Sequence, residues 1–366
     1  MALSKIQTTN NQVVPNLGRR NLIINGSMQI AQRGTSATTT GYATVDRFAV
    51  NQTNFDQLVS TKTQDSSVPV GFAKSFKITT TTQETALATD EYGNMCYKIE
   101  GQDLQHLAYG TSSAESFTLS FYVKSNLTGN FSVTVTSGTQ NKQQDRRYTI
   151  NSADTWERKT LTFLGDTAQS IVNDTTVGMY LFWHTAFGAT YGTDTYNPSV
   201  GWSAYSNAGW GAGQDVNTLY NAQNNYLQFT GVQMEVGNTA TDFEHRSVGE
   251  ELRGCQRYYT KFKASSAYSY YGSGLSSAAT TARIWKTFPV EMNHIPVLEQ
   301  SANNTWNIYN TDGGSGAFTA DATINHASTW GSCITCTTAA NLNANGGCCA
   351  TANNTTTAYF AFESEI

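Results

Sequence analysis

An alternation of apolar and polar residues with a period of two is the feature that most restricts this chain. Phe117, Leu119, Phe121 and Val123 fall on one side of an extended backbone, with Ser116, Thr118 and Ser120 on the other. Strand side chains point to opposite faces in turn, so this pattern builds a sheet with one buried face and not the stripe of a helix. It returns at Phe131, Val133 and Val135 after Leu127-Thr128-Gly129-Asn130, and the two runs read as a hairpin. Trp156, Leu161 and Phe163 mark a further strand, and Val177 to Trp183 another with more continuous burial. Short strands at this spacing, with no helical stretches between them, predict an antiparallel sandwich.

One strand carries a finer signal. Leu227 and Phe229 occupy odd positions, whereas Val232, Met234 and Val236 occupy even ones. A one-residue slip turns every later side chain to the opposite face, so the phase change predicts a β-bulge at Gly231.

Composition agrees with the strands and narrows the partners. Charged residues make up 13% of the 366, against about 25% in average soluble proteins, and aromatics reach 12%. Thr, Ser, Asn, Gln and Gly fill the difference, which suits pleated surfaces and argues against disorder. A net charge of −5 without a basic run makes nucleic acid a poor partner. No stretch approaches the roughly 18 apolar residues of a membrane span. The start, Met1-Ala2-Leu3-Ser4-Lys5, does not read as an export signal, so synthesis in a cytoplasm is expected.

Residues 1–20 form a polar leader ending in Arg19-Arg20, expected to be an extended arm that either docks onto another subunit or is poorly ordered. The sandwich is expected over 21–246. Within it, 187–226 is rich in Gly, Tyr, Asn and Ser and reads as long loops, where binding usually resides. Trp202, Tyr205, Trp210 and Tyr220 are the candidate carbohydrate-binding residues, because sugars stack on aromatic faces. The competing reading places those rings in the core or in a subunit interface.

The period changes once. Ser247-x-x-Glu250 is a capping box, and Val248, Leu252, Cys255, Tyr259 and Phe262 follow at spacings of four and three. A short connecting helix over 247–263 is predicted, with Gly254 weakening it by up to ~1 kcal/mol. A second, smaller β-sandwich is expected over 264–366, with Pro289 and Pro296 at strand ends and Ala358 to Ile366 as a terminal strand. Six cysteines are present; Cys333-x-x-Cys336 and adjacent Cys348-Cys349 read as buried strand thiols or an opportunistic disulfide before they read as zinc ligands.

Several segments resemble a known family. Asn21-Leu22-Ile23-Ile24-Asn25-Gly26-Ser27-Met28-Gln29-Ile30-Ala31-Gln32-Arg33-Gly34, followed by Val45-Asp46-Arg47-Phe48, resembles the opening of phage tail-fibre and related virion proteins. Leu119 to Ser125 is similar to their recurring central strand. The strongest match runs from Thr230 to Gly237, then Phe243-Glu244, then Glu250 to Tyr259. Phe288 to Met292 with Pro296, and the acidic end Phe362 to Ile366, resemble their C-terminal unit. The resemblance implies a virion protein of a fibre or other external appendage, commonly a homotrimer.

The first domain is also similar to jelly-roll carbohydrate-binding modules, which implies a jelly-roll sandwich and host glycan as partner. Those modules place an acidic residue soon after Asn-Gly to hold calcium. Asn25-Gly26-Ser27-Met28-Gln29 has no carboxylate, which leaves Asp46 and Glu235 as weak calcium candidates.

Catalysis is not expected. Glycoside hydrolysis needs two carboxylates about 5–10 Å apart, and no Asp or Glu pair stands in an aromatic-rich context. The histidines are scattered, without HExxH or GxSxG. The expected function is that of a structural virion protein engaged in host-surface attachment. A capsid decoration or adaptor protein is the alternative, and a polysaccharide depolymerase ranks third.

Overall fold

The computed structural model describes residues 19–215, 219–339 and 341–366. The predicted arm therefore lies, up to residue 18, outside the described residues. The chain divides into two compact units, Met1–Ser247 and Val248–Ile366. Both are built of antiparallel sheets, as the alternating pattern requires.

The first unit has β1 (Ser36–Ala37), β2 (Ala49–Thr53), β3 (Val59–Asp65), β4 (Ser75–Thr82), β5 (Tyr92–Glu100) and β6 (Phe117–Ser125). It continues with β7 (Gly129–Ser137), β8 (Lys142–Ile150), β9 (Glu157–Phe163), β10 (Val177–Phe187), β11 (Ser203–Ala204) and β12 (Tyr226–Val236). Two six-stranded sheets result, ordered β1-β3-β4-β12-β6-β9 and β11-β8-β7-β10-β5-β2. The chain passes repeatedly from one sheet to the other, in the manner of a jelly roll. Phe117, Leu119, Phe121 and Val123 are wholly buried between the sheets, as are Phe131, Val133 and Val135.

The predicted hairpin is not one. Strand β6 pairs with β12 and β9, whereas β7 pairs with β8 and β10 in the opposite sheet. Period two fixes which face of a strand is buried and says nothing about whether two strands lie side by side or face to face. Here they are opposed: the Phe121 ring meets Tyr148 and Trp183 of the second sheet at 5.1 and 6.0 Å. The crossover is pinned by Ser125, whose hydroxyl donates to the Tyr226 carbonyl at 2.5 Å and accepts from the Leu127 N–H at 3.0 Å.

The bulge falls where predicted. Register between β12 and β6 shifts between Thr230 and Gln233, and Gly231 has φ of 62°. A Cβ there would stand 2.6 Å from the Phe72 ring, so glycine is required twice over. Leu227, Phe229, Val232 and Met234 all reach the core in consequence, while Val236 is open to solvent at the strand end. The outward side of β12 is also covered, and most of its buried polar groups are paired, Gln228 Oε1 being left without a partner. Gln228 donates to Ser75 Oγ at 2.7 Å, Thr230 to the Lys74 carbonyl at 2.7 Å, and Gln233 accepts from the Glu244 N–H at 2.7 Å.

The second unit opens with α1 (Val248–Gln256), directly after Ser247 as the capping pattern predicts, and β13 (Tyr259–Lys263). The helix is shorter than expected. Tyr259 and Phe262 lie on a strand because Tyr259 through Lys263 pair with the C-terminal segment, a tertiary contact that overrides the helical spacing. Val248 is exposed, and Glu251 and Cys255 form the buried side of the helix.

The remaining strands are β14 (Tyr270–Ala278), β15 (Thr281–Thr287), β16 (Val297–Gln300), β17 (Trp306–Asn310), β18 (Ser315–Ala317), β19 (Thr323–Ser328), β20 (Gly331–Thr337), β21 (Gly347–Ala352) and β22 (Tyr359–Glu363). They form sheets β13-β22-β16 and β18-β17-β21-β14-β15-β20-β19. Pro289 follows the end of β15 and Pro296 immediately precedes β16, where neither interrupts a ladder. The terminal strand β22 is central in its sheet, and Phe360 and Phe362 are wholly buried.

Cys96, Cys333, Cys336, Cys348 and Cys349 are free thiols. Cys333 and Cys336 lie on β20 and Cys348 and Cys349 on β21, with β14 and β15 between those strands. Burial pushes the Cys96 thiol up to about 12 and Cys348 up to about 11, which leaves both protonated and inert at neutral pH.

Candidate functional site

The outer side of sheet β11-β8-β7-β10-β5-β2 gathers several of the first unit's partly open rings. In β10, Leu181 and Trp183 are buried in the core, so Tyr180, Phe182 and His184 take the opposite face. Pairing sets Tyr180 between Lys98 and Thr136, and Phe182 between Cys96 and Thr134. Tyr180 and Phe182 stack at 5.6 Å.

The loop after β10 returns over this surface and lays Trp210 on it. That indole is buried edge-on against Phe182 at 5.5 Å, Tyr92 at 5.0 Å, Tyr191 at 5.5 Å and the His184 ring at 4.7 Å. Half-buried Tyr42, Tyr92, Tyr180 and Tyr191 rim the floor made by Phe182 and Trp210. The Lys98 ammonium stands 5.9 Å from the Tyr42 ring and 5.7 Å from Tyr180. Burial raises the Tyr180, Tyr191 and Tyr205 hydroxyls above their ordinary value, so each remains a donor as well as an acceptor.

A buried polar chain holds the loop down. The Gly211 N–H donates to Asp145 Oδ1 at 2.9 Å, and Gln143 Nε2 to Asp145 Oδ2 at 3.1 Å. Thr134 donates its hydroxyl to Asp145 and lies 2.8 Å from His184 Nε2. An ionised carboxylate only accepts, so Thr134 spends its proton there and takes the N–H of His184. Burial pushes Asp145 up to about 6, against the pull of these donors, and His184 down to about 3, so the imidazole is neutral.

The four rings predicted from sequence do not form one site. Trp210 is buried as the floor of the tyrosine face, and Tyr220 is 1% exposed inside the sandwich core, its hydroxyl 2.9 Å from Thr185 Oγ1. Neither has a ring face for a sugar. Tyr205 is 38% exposed beside Tyr191 and Tyr92. Trp202 stands apart, its Nε1 donating to the Leu164 carbonyl at 2.8 Å. Tyr42, Tyr92, Tyr180 and Tyr191 were missed. The signal for Tyr180 was its phase relative to Leu181 and Trp183, hidden by the near-continuous apolar run.

Asp46 is buried, accepting from Gln32 N at 2.9 Å and Gln32 Nε2 at 2.6 Å. Glu235 accepts from Gln233 Nε2 at 2.8 Å and the Thr241 N–H at 3.0 Å. Among the described residues no three His, Cys, Asp or Glu side chains come together as a metal site.

No family model matches the sequence, and no curated protein does. Among solved structures, the enzymatically active domain of tailspike protein 4 of bacteriophage CBA120 is 13% identical over 59% of this chain, with a TM-score of 0.31. The match spans about a fifth of that longer chain, 21%. A CBM4 module is 12% identical over 58% of this chain and 97% of its own, with a TM-score of 0.30. The family 11 carbohydrate-binding module of the Clostridium thermocellum cellulase Lic26A-Cel5E is 11% identical over 58% and 98%, with a TM-score of 0.28.

Proposed function

We propose that this chain is a non-catalytic structural subunit of a phage virion, an external fibre or appendage that attaches to host-surface glycan through the tyrosine face. The observation that carries the binding role is the set of half-open tyrosines around the Phe182–Trp210 floor. Rigid rings with a polar tip supply apolar contact and hydrogen bonding at low entropic cost. The virion role is supported by the ordered motifs from Asn21 to Ile366, and assembly as a homotrimer, with the residue 1–20 arm docking onto other virion proteins, belongs to the same reading. Absence of catalysis is supported by Asp145: this carboxyl, raised by burial to about 6, is spent on holding the loop.

A glycan array probed with the full-length protein tests the reading. Binding to surface polysaccharides is expected, with loss of about tenfold or more in a Tyr92→Ala, Tyr191→Ala variant that melts as the parent does. Unchanged affinity in that variant removes the tyrosine face, and release of reducing sugar from a bound polysaccharide removes the non-catalytic assignment.

A further inference from the structure

One cleft of the first unit lies outside the tyrosine face yet shares a wall with it. Its volume is about 340 Å³, and Tyr180 lines it together with Trp202, Tyr109, Met179, Gln169 and Thr139. Tyr180 also stacks on Phe182 of the face, so the aromatic surface runs without a break from one into the other. Trp202 is only half-buried and is held in one pose by its N–H bond to Leu164 and by the Tyr109 ring, edge-on at 5.9 Å. A ring locked in this way loses no side-chain freedom when a ligand stacks on it.

The polar lining is neutral. Asp166 is the one charged residue among those that line the cleft, and it is answered by Lys142 Nζ at 2.9 and 2.7 Å and by the Ala168 N–H at 2.9 Å. Among the residues that line the cleft there is no cation to meet a phosphate or a uronate. Instead the lining carries the Ser170 hydroxyl and the Gln169 amide, with the Ser137 and Thr139 hydroxyls donating to Asn141 Oδ1 at 2.8 and 2.9 Å and one Gln169 N–H reaching Thr139 Oγ1 at 3.3 Å. The volume stands at the low end of the roughly 300–1,000 Å³ of ligand pockets, room for about one or two sugar rings and not for a chain.

We propose that this cleft is a second subsite, taking a neutral mono- or disaccharide unit of a glycan whose neighbouring residues lie on the tyrosine face. The assignment rests on the reading of that face as a glycan surface, and the experiment separates the two. Full-length protein is titrated calorimetrically with the polysaccharide it retains on the array. Neutral hexoses, N-acetylhexosamines and their disaccharides follow, with glucuronate as the charged counterpart. Trp202→Ala removes the stacking ring, and Thr139→Trp blocks the cleft from an exposed turn position that no core contact depends on.

Both substitutions are expected to weaken polysaccharide binding about tenfold and to abolish binding of the small neutral sugars, with melting temperature preserved. Tyr191→Ala should weaken the polysaccharide alone. If both cleft variants bind the polysaccharide as the parent does while Tyr191→Ala does not, the subsite is wrong and the face stands. Glucuronate binding as tight as that of the neutral sugars also overturns it. A parent protein that binds no glycan overturns face and cleft together.

Discussion

Asn21 shows why the strongest sequence motifs of this chain occur as a set. The bulge at Gly231 takes β12 off its ladder, and the Asn21 side chain fills the gap, donating to the Val232 carbonyl at 3.1 Å and accepting from the Met234 N–H at 3.0 Å. Gly26 closes against the same stretch; a Cβ there would lie 2.0 Å from the Val232 oxygen. Glu244 then accepts from the N–H groups of Arg20 and Asn21 at 3.2 and 3.0 Å, and pairs with Arg246 at 3.2 Å. Burial alone would raise its carboxyl, but those two N–H groups and the Arg246 guanidinium outweigh burial and hold it below the usual value. The Asn21, Thr230 and Glu244 motifs therefore form one lock. Asn21→Ala takes the side-chain partner from the buried Val232 carbonyl and from the buried N–H groups of Ile23 and Met234, and should cost at least about 1–3 kcal/mol in urea unfolding at unchanged m-value. A loss under about 0.5 kcal/mol would mean that the bulge satisfies itself.

At the scale of elements, the strand pattern was legible and its pairing was not. The Gly231 bulge could be read because Leu227, Phe229, Val232 and Met234 register a phase change in the sequence itself. The β6–β7 crossover could not, since opposed and adjacent strands bury the same faces. The tyrosine face was hidden for a related reason: it draws Tyr42, Tyr92, Tyr180 and Tyr191 from β5, β10 and loops far apart in sequence, and only pairing assembles them. The loop that completes it hangs on Asp145, which makes its attachment sensitive to pH. The Asp145 carboxyl titrates near 6 when folded, against an ordinary 3.8. Below 3.8 both folded and unfolded chains hold the proton; between 3.8 and 6 only the folded one does. Stability contributed by this group is thus complete below that window and is lost as pH rises through it. Asp145→Asn keeps an acceptor for Gly211 and should flatten this dependence. The difference between parent and variant unfolding midpoints across about pH 4 to 7 reads it directly, and a difference that does not change with pH would remove Asp145 as the titrating group.

For the whole molecule, the two units bury separate cores, one centred on Phe121, Trp183 and Phe229 and the other on Trp306, Phe360 and Phe362. The sequence marked the division through one change of period at Ser247, but it assigned the helix to a connector, whereas α1 and β13 belong to the second unit. What ties that unit together is the last strand of the chain. Strand β22 pairs with β13 on one side and β16 on the other, and Phe360 stacks on Trp306 at 4.3 Å. A chain ending at Ala358 would lose both ladders and delete two wholly buried rings, each worth about 3–5 kcal/mol when truncated to Ala. That sum is comparable with the 5–15 kcal/mol stability of a typical domain, so the second unit should not fold. Among the described residues the first unit contributes no strand to these sheets, and it should keep its own cooperative transition. Calorimetry of the truncated chain should therefore show one of the parent's two transitions unchanged and the other missing. Loss of both would show that the units fold as one, and retention of both that β22 is dispensable.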